Sequence, residues 1–208
     1  MVRIGKWTLS NRAVDHSIQA VLIFASVFLA FWLNDYRIQV GEQRATEAVV
    51  EAVVSEVRAN KAVLERWAPY HREISERLEA RLRDDAEADP GEWEPFQPQA
   101  YLDQRGVFQE ILTYDSWEYL GQSDLRLDIH RRLAVNRIFR QQEYVDEAVR
   151  EVVGFLNGRE LFDPALAQQN HVMFYRLITE LYHQEMALLE NYRRFLEEFQ
   201  GEGSAPGR

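Results

Sequence analysis

The run from Ile18 to Leu33 constrains this chain more than any other stretch. It reads Ile-Gln-Ala-Val-Leu-Ile-Phe-Ala-Ser-Val-Phe-Leu-Ala-Phe-Trp-Leu, and no charged residue lies between His16 and Asn34. A bilayer core takes about 20 mostly apolar helical residues, roughly 17 at the short end. With Ala13 and Val14 added at one edge the run is long enough, and residues 13–36 are read as a transmembrane helix in contact with the lipid bilayer. A cleavable signal peptide is one alternative, since Arg3, Lys6 and Arg12 give residues 1–12 a basic start. The run ends, however, in Ala-Phe-Trp-Leu-Asn-Asp-Tyr, which puts large aromatics where a peptidase needs small side chains. Trp32 and Tyr36 suit the membrane interface, where an apolar ring with a polar edge is well placed. The other alternative, a core helix of a soluble protein, needs surrounding segments that are apolar all round, and the sequence contains no second one.

Charge sets the expected orientation. Three basic residues precede the run, and Arg37 and Arg44 follow it closely. The more basic flank stays in the cytoplasm, so the expectation is a bacterial inner-membrane protein with a cytoplasmic N-terminus and a periplasmic C-terminal domain. The absence of cysteine fits either compartment and excludes disulfides and thiolate metal sites.

About 165 residues remain after the anchor, enough for one compact domain. The chain of 208 residues has a net charge of -10, and most of the excess acid lies after the anchor. Such a surface repels phosphate backbones, so no nucleic-acid partner is expected. Lysine occurs only at positions 6 and 61, and the other basic side chains are arginine.

Residues 37–200 are expected to form a helical soluble domain, with 201–208 as a disordered tail. From Asn34 to about Arg83, Val49, Val53, Val57, Asn60, Leu64 and Trp67 recur at spacings of three and four, and Ile74, Leu78 and Leu82 continue the stripe. No proline interrupts the passage from the anchor, so one helix is expected to run through both. Pro69 removes a backbone donor and is expected to kink it near Glu65. Residues 84–104 hold three prolines, a glycine and an acidic cluster, which read as a loop. Trp93 and Phe96 in it imply partial docking on the domain.

A short helix is expected over about Gln104–Leu120, ended by Gly121. Ser123 or Asp124 would cap the next one, which runs to about Leu156 with Leu125, Ile129, Leu133, Ile138, Val145, Val149 and Val152 on one side. Asn157-Gly158 reads as its stop, and Asp163-Pro164 as the start of the last helix. There Phe174, Ile178, Leu181, Glu185, Leu188, Tyr192, Phe195 and Phe199 recur four-three-four-three, a coiled-coil spacing. The whole reads as all-α: an N-terminal transmembrane helix continuing into a long helix, with an antiparallel four-helix bundle-like soluble domain. The first and last helices would pair antiparallel and the middle two would cover them as a hairpin. Asn60 and Glu185 interrupt apolar stripes. They either fix register from the interior or sit at a stripe edge and reach water, and the second reading is favoured.

Catalytic patterns are sparse. The five histidines are scattered, and no His-Glu-x-x-His, phosphate-cradling glycine loop or Gly-x-Ser-x-Gly elbow occurs. Glu180 and His183 form one Glu-x-x-His step, half of what a di-iron bundle needs, so no metal site and no cofactor are expected. Asp115, Trp117 and Glu118 form the densest polar-aromatic cluster. They read either as a ligand-facing group or, preferably, as a helix-to-helix turn with Trp117 buried and Arg126 near enough to pair with an acid.

At these residues the chain resembles an uncharacterised family of bacterial single-span membrane proteins. Their anchor ends in an Asn-(Asn/Asp/Glu)-aromatic signature, and a mid-chain aromatic-Glu-Leu-x-x-Ser-Gly-x-Leu-like turn precedes a C-terminal helical hairpin. Here Leu33-Asn34-Asp35-Tyr36-Arg37 is similar to the first signature. The stretch Trp117-Glu118-Tyr119-Leu120-Gly121-Gln122-Ser123-Asp124-Leu125 is similar to the second. Tyr36 stands where Trp is usual, and Ser-Asp where Ser-Gly is usual. The resemblance implies the architecture and carries over no activity, ligand or site residue. The expected function is that of a non-catalytic, membrane-anchored interaction, scaffold or accessory-subunit protein with a protein partner or a second copy of itself. A small-molecule-sensing bundle is the alternative, and a metal-binding enzyme a more distant one.

Overall fold

A computed structural model of the protein describes residues 11–84, 93–107, 110–122 and 127–202. The fold is all-α, with helices α1 (Asn11–Asp84), α2 (Asp115–Gln122), α3 (Ile129–Leu156) and α4 (Ala167–Glu202), and short 3-10 turns between them. The chain divides into two compact units, Met1–Ala48 and Val49–Arg208.

In the first unit the described residues belong to α1, and its apolar side chains face outward. Leu22, Phe24, Phe28 and Phe31 are all exposed, Phe24 at 75%. Helix formation here needs no tertiary partner, because every backbone donor and acceptor inside an α-helix is met within the helix. The run is long and apolar enough to cross a membrane, and none of it is buried against protein.

The second unit is organised by the stripe that starts at Val49. Val49, Val53, Val57, Leu64, Trp67, Ile74 and Leu78 are buried, as the spacing of three and four requires. α1 passes through Pro69 as one helix. Pro69 and Glu65, whose carbonyl it leaves without its usual backbone donor, are both exposed residues. α4 buries Phe174, Ile178, Leu181, Leu188 and Tyr192 completely. Each large apolar side chain so placed contributes about 1.5–3 kcal/mol relative to exposure. α4 runs antiparallel to α1, since Ser75 bonds Thr179 and His71 meets Glu185. It is also antiparallel to α3, since Phe155 stacks on Phe174 while Gln142 bonds Tyr192 further along.

The middle of the chain departs from the expected hairpin. No helix spans 104–120: a 3-10 turn at Asp103–Arg105 is followed by Gly106 at φ 68°, and α2 begins only at Asp115. Gly106 turns the chain in the left-handed region that glycine enters without a Cβ penalty. Between the two, Leu112 is buried at 1% while Ile111 is exposed at 86%. The covering layer is therefore largely irregular chain. Trp93, Phe96, Pro98, Tyr101, Leu102 and Val107 all dock, so the expected docking of Trp93 and Phe96 is part of a longer contact. Gly121 lies inside α2 rather than ending it.

α3 starts at Ile129, later than expected, because Asp128 caps it by accepting from the His130 and Arg131 amides. Ser123, Asp124, Leu125 and Arg126 lie outside the described residues. Ile138, Val145 and Val152 are buried as expected, whereas Ile129 and Leu133 are exposed and Val135 and Phe139 complete the buried face. Asn157 caps the end of α3, and Asp163 with Pro164 leads through a 3-10 turn into α4, both as the sequence indicates. α4 extends to Glu202, two residues into the stretch expected as tail, and 203–208 lie outside the described residues.

Candidate functional site

Two features stand out: the exposed apolar face of α1 before Asn34, and a seam of polar side chains inside the second unit. The first is an interaction surface by composition, with Trp32 and Tyr36 stacked at 6.1 Å at its end. Ser26, the most polar side chain midway along it, donates its hydroxyl to the Leu22 carbonyl at 2.7 Å and so presents no free donor. A serine satisfied within its own helix is compatible with hydrocarbon.

The seam has two knots. At one, Asn60 on α1 treats Thr113 as a paired strand would. Its Nδ2 donates to the Thr113 carbonyl at 2.9 Å, and its Oδ1 accepts from the Thr113 amide at 3.0 Å. Asn60 also donates to Gln142 Oε1 at 3.2 Å, which accepts from the Tyr192 hydroxyl at 2.6 Å, while Gln142 Nε2 donates to the Thr113 carbonyl at 2.8 Å. One asparagine thus ties together α1, the segment before α2, α3 and α4. Burial raises the Tyr192 hydroxyl above its ordinary range, so it stays a donor. Next to it Glu56 accepts from the Asp115 amide at 2.8 Å and the Ser116 amide at 3.0 Å, capping α2 from another helix. These captured amides explain why residues 110–114 do not continue as helix.

At the second knot His71 and Glu185 face each other, both 0% exposed. His71 Nδ1 lies 2.8 and 2.9 Å from the two carboxyl oxygens, and Nε2 lies 2.6 Å from the Val107 carbonyl. Burial pushes the Glu185 carboxyl up, against a downward pull from His71. Asn60 and Glu185 are therefore interior groups; the expectation that they sit at a stripe edge and reach water is overturned. Each has a partner from a distant segment that removes the need for water.

The other candidates are not brought together. Asp115 and Glu118 are exposed, whereas Trp117 is half-buried and stacks on Phe139 at 5.4 Å, so the three do not share a face. His183 is exposed, and the Glu180 carboxylate accepts from Gln184 at 2.6 Å. Among the described residues no group of three His, Asp or Glu side chains is placed to hold a metal ion. Tyr114 donates to Asp146, a half-buried pair in which burial raises both the hydroxyl and the carboxyl. A groove of about 430 Å³ runs past Arg81, Glu94, Gln97 and His171, and Arg81 and Glu94 pair across it at 3.4 Å.

Glu56, His71, Thr113 and Gln142 are seam residues that the reading of the sequence does not single out, and of these His71 carries a local signal. Its signal was present: positions 60, 64, 67, 71, 74 and 78 continue the spacing of three and four, and His71 falls on the buried stripe. Comparison with protein-family models, with curated proteins and with solved structures gives no match to this chain.

Proposed function

We propose that this protein is a non-catalytic, membrane-anchored helical module that acts by binding a protein partner or a second copy of itself. The observation that carries the proposal is the outward-facing apolar run of α1, whose natural solvent is lipid, in a helix that continues through Asp84 into the second unit. The non-catalytic reading is supported by where the convergent titratable groups sit. His71 and Glu185 are sealed from solvent and engaged with each other and with backbone, which leaves them no access to a substrate. The similarity of the Asn-acidic-aromatic and mid-chain signatures to the single-span family agrees with this reading. By the distribution of basic residues the N-terminus is cytoplasmic and the second unit faces the periplasm of a bacterium.

The test is mild crosslinking in cells, followed by affinity purification of the full chain from membranes. A defined membrane complex, or a fixed homo-oligomer, is the expected result. A chain recovered alone as a monomer contradicts the proposal. Orientation is tested separately by Ser10→Cys and Ser204→Cys in this cysteine-free chain with an impermeant maleimide on cells whose outer membrane is permeabilised. Labelling at position 204 alone is expected, and labelling at position 10 alone reverses the orientation.

A further inference from the structure

The contact between His71 and Glu185 fixes a proton count. The Val107 carbonyl, 2.6 Å from Nε2, can only accept, so Nε2 carries a hydrogen. Nδ1 lies 2.8 Å from Glu185 Oε1, and an imidazole lone pair cannot bond an ionised carboxylate without a proton between them. The closed geometry therefore holds one proton more than a neutral imidazole beside an ionised carboxylate, whichever atom carries it. Trp67 and Tyr70 pack on the imidazole from α1, and the Tyr70 hydroxyl is engaged with the Leu102 and Gly106 carbonyls. Segment 93–107 contributes the Val107 carbonyl, and α4 contributes Glu185. The α3 side chains bonded to α4 on either side of Glu185 are neutral amides, Gln141 to Gln184 and Gln142 to Tyr192.

We propose that His71 and Glu185 form a proton-held clasp between α1 and α4, closed at mildly acidic and neutral pH and weakened as alkaline pH removes the shared proton. Loss of that proton sets two lone pairs against each other, either at Nδ1 and Glu185 or, after a tautomer change, at Nε2 and Val107. The second outcome releases the end of the docked segment 93–107. α1 is the helix that also carries the Ile18–Leu33 run, so the clasp acts on the element that leads to the anchor.

The pH window follows from proton counting. In the unfolded chain a glutamate holds its proton only below about pH 4.3, and a histidine only below about pH 6.5. The closed pair holds one. Between those values both states hold one proton, and the contribution of the pair is flat. Above about pH 6.5 only the folded state holds it, so the folding constant falls about tenfold for each pH unit of rise while the pair keeps its proton. Below about pH 4.3 the unfolded chain takes a second proton, and stability falls again. Burial raises the Glu185 carboxyl, which favours retention of the proton.

Glu185→Gln isolates the effect. The glutamine amide donates to the Nδ1 lone pair while Nε2 still donates to Val107, so the variant closes with no shared proton. Urea unfolding of the full chain in mild detergent, followed by tryptophan fluorescence between pH 5.5 and 9, compares the two. The wild type is expected to lose an additional tenfold in its folding constant per pH unit above about 6.5, and parallel pH profiles overturn the proposal. Nitrogen-15 spectra of the His71 ring in the wild type provide a readout that needs no variant. At pH 7 both ring nitrogens are expected to give the signals of hydrogen-bonded nitrogens, Nε2 toward Val107 and Nδ1 toward Glu185, and a free Nδ1 lone pair overturns the clasp.

Discussion

The two units solve opposite problems with one long helix. Before Asn34, α1 turns Leu22, Phe24 and Phe28 outward and has no protein to cover them. After Val49 the same helix hides its apolar stripe and, along with it, Asn60 and His71. The first region is apolar outside, and the second is partly polar inside. Each arrangement is costly in the solvent the other suits. Exposed aromatics in water forfeit the gain from burial, and polar groups in an interior cost several kcal/mol unless bonded. The first unit is consistent with lipid as its solvent. The second meets its polar groups with partners from three other segments, which ties long-range packing to side-chain pairing.

The strongest break comes from charging the outer face. Phe24→Arg with Phe28→Arg places two cations at the middle of the run, at about 2.5–3.5 kcal/mol each on insertion scales. The chain is expected to move from the membrane to the soluble or aggregated fraction, read by flotation. Next is the interior pair. His71→Leu leaves the buried Glu185 carboxyl unpaired and is expected to destabilise the second unit by about 3 kcal/mol near neutral pH. Burial raises the Glu185 carboxyl in the folded state. Below about pH 4.3 the acid is protonated folded and unfolded alike, so the penalty shrinks there. It grows as pH rises, which urea titrations at pH 4 and 7 check.

Asn60→Ala removes the capture of Thr113 and leaves Gln142 short of one donor. A loss of about 2 kcal/mol is expected, together with faster hydrogen exchange at the Thr113 amide than elsewhere in the unit. The smallest effect is at the cap of α3. The Arg131 and His130 amides hold the Asp128 carboxyl below its ordinary range, so its contribution is present above about pH 3.9 and lost as pH falls through the lower folded value. Asp128→Ala is expected to lower the melting temperature slightly at pH 7 and by less at pH 2, read by thermal melts at the two values.

The long elements were legible because their physics is local. The spacing of three and four from Val49 to Leu78, and four-three from Phe174 to Phe195, follows from helix geometry alone. Asp163-Pro164 and Asn157 act through their nearest neighbours. The apolar content of 110–114 resembles a helix, while Asn60 claims the backbone of Thr113 and Glu56 the amides of Asp115 and Ser116 that would otherwise bond back into that stretch. No local pattern announces a partner 53 positions away, the separation of Asn60 from Thr113. Asn60 and Glu185 were placed at a stripe edge for the same reason: a polar residue on an apolar stripe looks solvated until its partner is known. His71 was recoverable from its place on the stripe. Glu180, His183, Asp115 and Glu118 stay on the surface.

The most direct measurement concerns Ser26, midway along the outward face. Ser26→Cys, the only thiol in the chain, carries a fluorophore in the full-length protein reconstituted into vesicles. Quenching by lipids brominated deep in their acyl chains, with no quenching by aqueous iodide, is the result expected of a helix that crosses the bilayer. Quenching by iodide with none from the brominated lipids would contradict it.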